Sequence, residues 1–290
     1  MDFKGDVMKK AFSIRRNILV AVITITLLGF IWIIPLYALI VGSVKSLADA
    51  MGSPLLDLPR ELDAGTLYRA FNILSTAMQN TAVVVIPAAF ISVFLGSVAA
   101  FGIYLKGGRV ADYLPPLIAI TTYIPYQALI VPLISIIREL EKTLNVVLYD
   151  TLHGMFLVFL LYYTPMATLL MFIFTNNLPR ELIEASLVDG MSPFKAYRRV
   201  ALPLLSPGFV AALIFILINM WNNFFIPLSM TRGYEKHITL RIFSYVGQAG
   251  TIYNEMFAAA LIGSLPPLVV FIVLSRYFVR GLMAFTGGGR

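Results

Sequence analysis

Cysteine is absent from this chain of 290 residues, and charged residues are scarce. Without thiols, neither a disulfide framework nor a thiolate metal site can form. The two histidines, His153 and His237, are too far apart in sequence to share a ligand motif, so no metal centre is expected. Charged residues make up 13% of the chain, about half the usual share in a soluble domain, and hydrophobic residues reach 59%. This composition excludes an ordinary soluble domain and indicates a polytopic membrane protein.

Long uncharged stretches define the candidate membrane spans. Crossing about 30 Å of hydrocarbon takes about 20 helical residues, and six stretches are long enough. The predicted spans are approximately 17–44, 78–104, 113–137, 152–176, 206–231 and 256–278. The second uncharged stretch is overlong, and its first turns, residues 71–79, are assigned to the membrane interface or to a loop. The sequence therefore predicts an all-α polytopic membrane protein with six transmembrane helices, in one transmembrane domain over residues 1–290.

The distribution of charge between the spans predicts their orientation. The two terminal segments and the segments after the second and fourth spans hold 14 basic residues, whereas the three alternate segments hold 8. Acidic residues run the opposite way, with 6 and 9. By the positive-inside rule, both termini face the cytoplasm. Membrane topology then accounts for the net charge of +7, and no nucleic-acid partner is expected.

The uncharged stretches also limit the source of energy. A transporter driven by protons or ions usually carries ionisable side chains inside its spans. Here the six uncharged stretches hold no Asp, Glu, Lys or Arg, and His153 lies at the edge of a span. Sodium could still be held by carbonyl oxygens at broken helices. A membrane enzyme would lack general acids, bases and metal ligands in the same region. The energy for any work is therefore expected to enter from outside the membrane.

Residues 177–205, here called the 177–205 segment, interrupt the apolar pattern between the fourth and fifth spans, on the predicted cytoplasmic side. A first helix is predicted to begin at Pro179, with Glu181 near its positive end, and to finish at Gly190, which suits a left-handed cap. Ser192 is the predicted N-cap of a second helix with Pro193 in its first turn. Two short helices joined by a turn are therefore predicted at the membrane surface.

Both predicted helices have an apolar face. The first face comprises Leu178, Leu182, Ala185 and Val188, and the second comprises Phe194, Tyr197 and Val200, opposite Lys195, Arg198 and Arg199. Such faces can lie on lipid, cap the protein's own helices, or dock a soluble partner. The carboxylates of the first helix disfavour anionic headgroups, but the residues alone leave all three uses open.

The 177–205 segment resembles the EAA loop of binding-protein-dependent ABC importer permeases. That pattern is approximately E-A-A, two residues, D-G-A, then an aromatic residue, a basic residue and L-P. The matching residues are Glu184, Ala185, Asp189, Gly190, Ser192, Pro193, Phe194, Arg199, Leu202 and Pro203. Two positions depart from the pattern, with Ser186 for the second Ala and Met191 for the Ala after Gly, and both replacements are small or apolar.

The likeness extends over nearly the whole chain. "IIPLYALIVGSVKS" in the first span, "WNNFFIPLSMT" in the fifth and the tail "YFVRGLMAFTGGG" look like the second permease subunit of maltose-type carbohydrate importers, including archaeal glucose-type permeases. The resemblance implies a transport subunit of the cell membrane rather than an enzyme, with no cofactor in this chain. It implies four kinds of partner: a homologous second permease, an ATPase dimer that binds ATP and Mg, an extracellular solute-binding protein that delivers a mono- or oligosaccharide, and membrane lipid.

The resemblance also assigns roles within the 177–205 segment, which would enter a groove on the ATPase. Glu184 would meet basic groups there, Gly190 would permit the sharp turn, and Phe194 and Tyr197 would be buried anchors. The residues assigned to ATPase coupling are Glu184, Ala185, Asp189, Gly190, Ser192, Pro193, Phe194, Tyr197, Arg199 and Pro203.

A passage for sugar needs amides, hydroxyls and aromatic faces rather than charges. The candidate pathway residues are Tyr123, Tyr126, Gln127, Trp221, Asn222 and Asn223. Alternatively, Trp221 and the two asparagines hold helices together near the interface. The outer segments 45–69 and 232–255 are either contacts for the binding protein or simple connectors.

Two other functions remain open. A permease for a peptide, phosphate ester or osmolyte would share the EAA pattern, because that pattern does not depend on the solute. A secondary transporter would instead move its solute alone and without ATP.

Overall fold

The computed structural model describes residues 3–122, 124–246 and 252–286, and within these ranges the side chains of residues 17–276 except Tyr126. An isolated antiparallel bridge between Lys45 and Leu62 is the one β contact among them. The α-helices are α1 (Phe3–Val44), α2 (Leu47–Gly52), α3 (Gly65–Lys106), α4 (Gly108–Thr122), α5 (Tyr126–Leu144), α6 (Leu152–Thr175), α7 (Arg180–Val188), α8 (Pro193–Ala196), α9 (Leu202–Trp221), α10 (Phe225–Met230), α11 (Ile238–Phe243) and α12 (Tyr253–Thr286). For the described residues, the all-α prediction is confirmed.

Five helical segments in the described part of the chain are long and apolar enough to cross a membrane. They are Asn17–Val44, Gly65–Lys106, Leu152–Thr175, Pro193–Trp221 and Tyr253–Arg276. A sixth is obtained if α4 and α5, which are bent by 95° to each other, form one broken span. The polytopic class predicted from composition is therefore confirmed, with five or six candidate spans.

Two of the predicted spans are interrupted. The stretch 113–137 is divided between α4 and α5, and Pro125 is the N-cap of α5 with ψ of 117°. Proline lacks an N–H and disfavours helix in the residue before it, so a break at this point has a local cause. The stretch 206–231 is divided between α9 and α10. Asn223 lies between them and its side chain accepts the Ile226 N–H at 2.9 Å, which favours a new turn over continuation of the helix.

Helix α3 is continuous over 42 residues, about 63 Å at 1.5 Å per residue. Residues 71–79 are helical within it, so the loop alternative for these residues is wrong. At Gly96 the helix comes so close to α6 that a Cβ there would lie 2.7 Å from both the Ala167 carbonyl carbon and the Thr168 nitrogen. Glycine therefore sets the separation of these two helices.

Contacts divide the chain into two compact units. The first lies within Met1–Phe71 and Ala249–Leu261, and the second within Asn72–Gln248 and Ile262–Arg290. In the second unit, α6 packs against α4 and α9, and the side chains of Phe159, Met171 and Met220 are fully buried. This unit contains the 177–205 segment and most of the predicted pathway residues.

In the first unit, the connection after α1 is folded by polar contacts. Lys45 is 1% exposed, and its ammonium donates to Ser53 Oγ at 2.9 Å. Arg69 forms ion pairs with Asp63 at 2.7 Å and with Glu255 at 2.8 Å. The bond from Arg69 holds the pKa of the Asp63 carboxyl below its usual value. Segment 45–69 is therefore held in a defined structure by its own polar contacts, which is compatible with either predicted role.

Three aromatic or imidazole side chains of the other outer segment, 232–255, have different environments. Tyr234 and Tyr253 are exposed, whereas His237 is fully buried and its ring centroid lies 5.9 Å from that of Phe159. Burial lowers the pKa of His237 to about 3. His237 is therefore a neutral packing residue that a docked protein could not reach without unfolding this region.

Candidate functional site

Local chemistry builds the 177–205 segment as predicted. Gly190 follows α7 with φ of +83°, and its N–H donates to the Leu187 carbonyl at 3.0 Å. Ser192 caps α8 by accepting the Lys195 N–H at 3.4 Å, and Pro193 is the first residue of that helix. The left-handed turn and the serine cap are thus confirmed, because each depends on residues that are adjacent in sequence.

One side of this pair of helices packs against the rest of the second unit. Ile183 is 1% exposed, and Ala196 is fully buried. Ser186 is also buried, and its hydroxyl donates to the Ile183 carbonyl at 2.7 Å, so the polar group is satisfied within α7. The residue that replaces Ala in the EAA pattern therefore faces the protein's own interior.

The opposite side presents an exposed apolar face. We define this face as Leu182, Ala185, Val188 and Phe194. Three of its side chains are large, and their exposed fractions are 50% for Leu182, 86% for Val188 and 61% for Phe194. Capping of the protein's own helices is therefore excluded for these four residues, whereas Leu178 and Tyr197 of the predicted faces are buried. Large apolar side chains left exposed in this way are typical of a lipid contact or a partner contact.

Exposed charged side chains alternate along the segment with the residues of the exposed apolar face. Glu184 on α7 and its C-cap Asp189 are exposed, as are Lys195, Arg198 and Arg199 after the turn. Exposed apolar side chains with charged neighbours are compatible with a protein interface, which combines an apolar core with a polar rim. The remaining residues assigned to coupling are also exposed, namely Gly190, Ser192, Pro193 and Pro203.

Tyr197 is placed differently from its predicted role as an anchor for a partner. Its side chain is 2% exposed, and its hydroxyl shares a hydrogen bond with the Ser97 hydroxyl of α3. Its ring centroid lies 5.5 Å from that of Phe101, also on α3. Tyr197 opens a π-helical turn, Tyr197–Ala201, that joins α8 to α9. The residue therefore fastens the segment to α3, and Phe194 is the ring left on the surface.

The predicted pathway residues divide into structural and exposed positions. Trp221 is 4% exposed and donates from Nε1 to the Gly263 carbonyl at 3.0 Å. Asn223 is 7% exposed and donates to the Tyr163 hydroxyl at 3.1 Å. These contacts match the alternative interpretation, in which both residues hold helices together. Gln127 and Asn222 are exposed, whereas Tyr123 and the side chain of Tyr126 lie outside the described residues.

A cavity of about 270 Å³ lies between α4, α5, α6 and α9, and the sequence interpretation did not identify it. Its lining includes Thr121, Thr122, Tyr162, Pro165, Phe215 and Asn219. Aromatic faces, hydroxyls and one amide, with no charge, suit a neutral polar solute. Asn219 could have pointed to this cavity from the sequence, because it is an amide within the largely apolar α9 and a polar residue within a span often marks a pathway.

Comparison with known proteins places these features in a family. Residues 92–283 match the family described as binding-protein-dependent transport system inner membrane component. The chain is 36% identical to the glucose import system permease protein GlcU of Saccharolobus solfataricus, over 92% of this chain and 94% of that protein. It is 26% identical to the osmoprotective compounds uptake permease protein GgtD of Synechocystis, over 95% and 93%.

A solved structure shares the fold. A chain of a bacterial ABC transporter involved in the import of the acidic polysaccharide alginate superposes with a TM-score of 0.73 at 19% identity, over 91% of this chain and 98% of that chain. The family match covers well over half of the residues, including α6, the 177–205 segment and α9. The chain therefore belongs to the inner-membrane component family of binding-protein-dependent transport systems.

Proposed function

We propose that this chain is one of two permease subunits of an ABC importer that carries a sugar into the cell. ATP, with Mg, is hydrolysed by a partner ATPase dimer, and the chain itself catalyses no reaction. The observation that carries the proposal is the exposed apolar face of the 177–205 segment, which has charged neighbours and the EAA residues. The predicted topology places both termini and this face on the cytoplasmic side, where ATP is present.

The contacts of the 177–205 segment support a route by which movement of the ATPase reaches the membrane helices. An ATPase groove receives Leu182, Val188 and Phe194, and Glu184 pairs with a basic group at its edge. Movement of the docked helices reaches α3 through Tyr197, which is bonded to Ser97. The same movement reaches α9 through the π-helical turn, which is continuous with it. Closure of the ATPase dimer thereby changes the arrangement of the spans.

A sugar is the solute that the site chemistry and the relatives favour. The uncharged cavity near Asn219 and Tyr162 offers hydrogen-bonding groups beside aromatic faces, and the relative at 36% identity is named for glucose import. A homologous second permease completes the passage, and an extracellular solute-binding protein delivers the sugar. An osmoprotective solute is the alternative, since one relative is named for that activity.

Coupling is tested by reconstituting the chain with its ATPase, second permease and binding protein. We expect Glu184→Lys, and separately Gly190→Asp, to reduce ATP-driven uptake at least tenfold while membrane insertion is unchanged. Reversal of charge at Glu184 replaces attraction by repulsion at the groove. Aspartate tolerates the φ of +83° poorly compared with glycine and adds a charge. The matched control is Glu139→Lys, which alters an exposed carboxylate on α5 and should transport normally.

The solute is tested by measuring uptake of labelled glucose, arabinose, a disaccharide and a neutral osmoprotectant with the same complex. Uptake of one of the sugars, dependent on ATP and on the binding protein, supports the proposal. If wild-type uptake persists in both coupling variants, the assigned role of the 177–205 segment is wrong. If the chain alone concentrates solute without ATP, the importer assignment itself fails.

A further inference from the structure

An apolar groove of about 640 Å³ borders the cavity near Asn219, with which it shares Pro165, and includes no residue of the exposed apolar face. Its walls on α3 and α4 are formed by Ala99, Gly102, Ile103, Val110, Leu114 and Ile118. The third wall is α6, where the hydroxyls of Thr164 and Thr168 donate to carbonyls of their own helix at 2.6 and 2.8 Å. The protons of these two hydroxyls are thus used within α6, and apart from their oxygens and Lys106 the lining of the groove is hydrocarbon.

Lys106 connects this groove to a polar cleft. It lines the groove and also lines a second space of about 330 Å³, together with Arg180 and Glu184. The guanidinium of Arg180 lies 5.7 Å from the Tyr104 ring centroid, which orients it over an aromatic face. Two cations and one carboxylate give the lining of the cleft a net charge of +1. The apolar groove and a cleft with a net positive lining therefore meet at Lys106.

We propose that the groove and the cleft together bind one anionic membrane lipid. An alkyl chain fills the groove, and the phosphate lies between Lys106 and Arg180. The stretch from Ala99 to Lys106 spans about 10.5 Å along α3, which is most of the thickness of one leaflet, about 15 Å. Since Lys106 is on the predicted cytoplasmic side, this leaflet is the inner one, where anionic headgroups attract basic side chains.

Charge favours a lipid over an apolar helix of another protein, because the groove shares Lys106 with the cleft that also contains Arg180. Gly102 borders open space in the groove, because a Cβ at that position would meet no atom within 4 Å.

The site has a consequence for the 177–205 segment, because Arg180 is the first residue of α7. A phosphate held by Lys106 and Arg180 would join the end of α3 to the start of α7 by charge-assisted hydrogen bonds. The bound lipid would thus stabilise the position of α7 relative to α3. Lipid binding in the groove would not depend on which solute is carried.

Native mass spectrometry of the purified full-length chain tests the site, with phosphatidylglycerol as the probe and phosphatidylcholine for comparison. We expect one phosphatidylglycerol to bind at least fivefold more tightly than phosphatidylcholine, about the effect of one basic side chain near an anionic surface. Gly102→Phe should abolish binding of both lipids by filling the groove. The double substitution Lys106→Gln with Arg180→Gln should remove only the preference for phosphatidylglycerol.

Two matched controls separate the site from general effects. Gly29→Phe adds the same bulk on α1, where a Cβ also meets nothing within 4 Å, and Arg109→Gln removes an exposed charge that borders neither space. Both should bind phosphatidylglycerol as the wild type does. Val110→Phe fills the groove from α4 and replaces Gly102→Phe if that variant does not insert. Undiminished lipid binding by the groove-filling variant overturns the proposal.

Photocrosslinking identifies the occupant in the assembled importer. A benzoylphenylalanine at Leu114, a groove position on α4, is irradiated in membranes that contain the complete importer. A lipid adduct on this chain supports the proposal. A covalent adduct to the second permease shows that a protein helix fills the groove and contradicts it.

Discussion

Tyr197 shows how a single side chain joins a surface segment to a membrane helix. Its ring is buried against Phe101, and its hydroxyl pairs with Ser97 on the same helix. Buried hydroxyls require partners, because an unpaired one loses its hydration without compensation. Ring and hydroxyl together therefore fix both the depth and the orientation of the 177–205 segment relative to α3.

We expect Tyr197→Phe to lower the free energy of unfolding by about 1 kcal/mol, since one buried hydrogen bond is lost. Ser97→Ala should cost about 1–3 kcal/mol, because the tyrosine hydroxyl stays buried without its partner. The double variant should cost less than the sum. Thermal unfolding in detergent measures all three, and Tyr113→Phe, at a 72% exposed tyrosine on α4, is the control. Strictly additive losses would mean that the two hydroxyls do not interact.

For single residues, the sequence predicts a structure correctly when that structure depends only on neighbouring residues. Gly190 and Ser192 were predictable because a left-handed turn and an N-cap depend on two or three adjacent residues. The burial of Tyr197 was not predictable, because regular helical spacing groups it with the exposed Phe194. Its burial depends on partners on α3, since its ring packs on Phe101 and its hydroxyl pairs with Ser97, which is 100 residues away.

At the scale of helices, the close contact of α3 with α6 at Gly96 predicts that Gly→Ala substitutions on α3 have unequal effects on stability. Gly96→Ala should destabilise the protein by about 1–3 kcal/mol, since its Cβ would lie 2.7 Å from the backbone of α6. Gly102→Ala on the same helix has open space around the new methyl group and should be neutral or slightly stabilising. Thermal midpoints of the two purified variants provide the comparison. Equal midpoints would exclude a close approach at Gly96.

The loop before α6 is tied to the turn before α11 by Asp150. Its carboxylate pairs with Lys236 and accepts the Arg232 N–H at 2.8 Å. The bond from Lys236, followed by that from Arg232, holds the pKa of Asp150 below its usual value. Because the folded pKa is the lower one, this stabilisation is complete above the unfolded pKa of about 3.9 and is lost as the pH falls through the folded value.

Asp150→Asn should therefore lower stability by roughly 0.2–1 kcal/mol at neutral pH, the range for a partly exposed ion pair. The difference from wild type should vanish at low pH. Asparagine accepts the φ of +61° at this position, so the backbone is not strained. Thermal midpoints measured from pH 7 down to pH 2 test this. A difference that stays constant over the whole range would assign the effect to something other than the charge.

Helix ends were harder to predict than the existence of helices. Composition alone identifies the apolar stretches, because a bilayer of fixed thickness demands about 20 such residues. The break at Pro125 and the end of α9 near Asn223 depend on where freed backbone groups find new partners. Similarly, the 71–79 stretch continues α3 without interruption, since nothing in it ends a helix.

For the molecule as a whole, the absence of charged residues from the apolar stretches is an important guide to function. Without intramembrane acids or bases, the spans hold no visible source of energy, and the exposed apolar face of the 177–205 segment offers a place to receive it. The cavity near Asn219 was not predicted from sequence, because it is formed jointly by α4, α5, α6 and α9. Shared cavities of this kind become visible only when the helices are assembled.

The same uncharged spans have an electrical consequence. Moving one elementary charge through the membrane field is worth about 2.3 kcal/mol per 100 mV, or roughly fiftyfold in an equilibrium at 25 °C. The six uncharged stretches of this chain carry no Asp, Glu, Lys or Arg, and a sugar is neutral. In proteoliposomes clamped with potassium and valinomycin at 0 and −100 mV, we expect uptake at fixed ATP to differ less than twofold. A steep voltage dependence would instead require a charge that moves through the membrane field, and the uncharged stretches of this chain supply none. We therefore expect the importer to work equally well in polarised and depolarised cells.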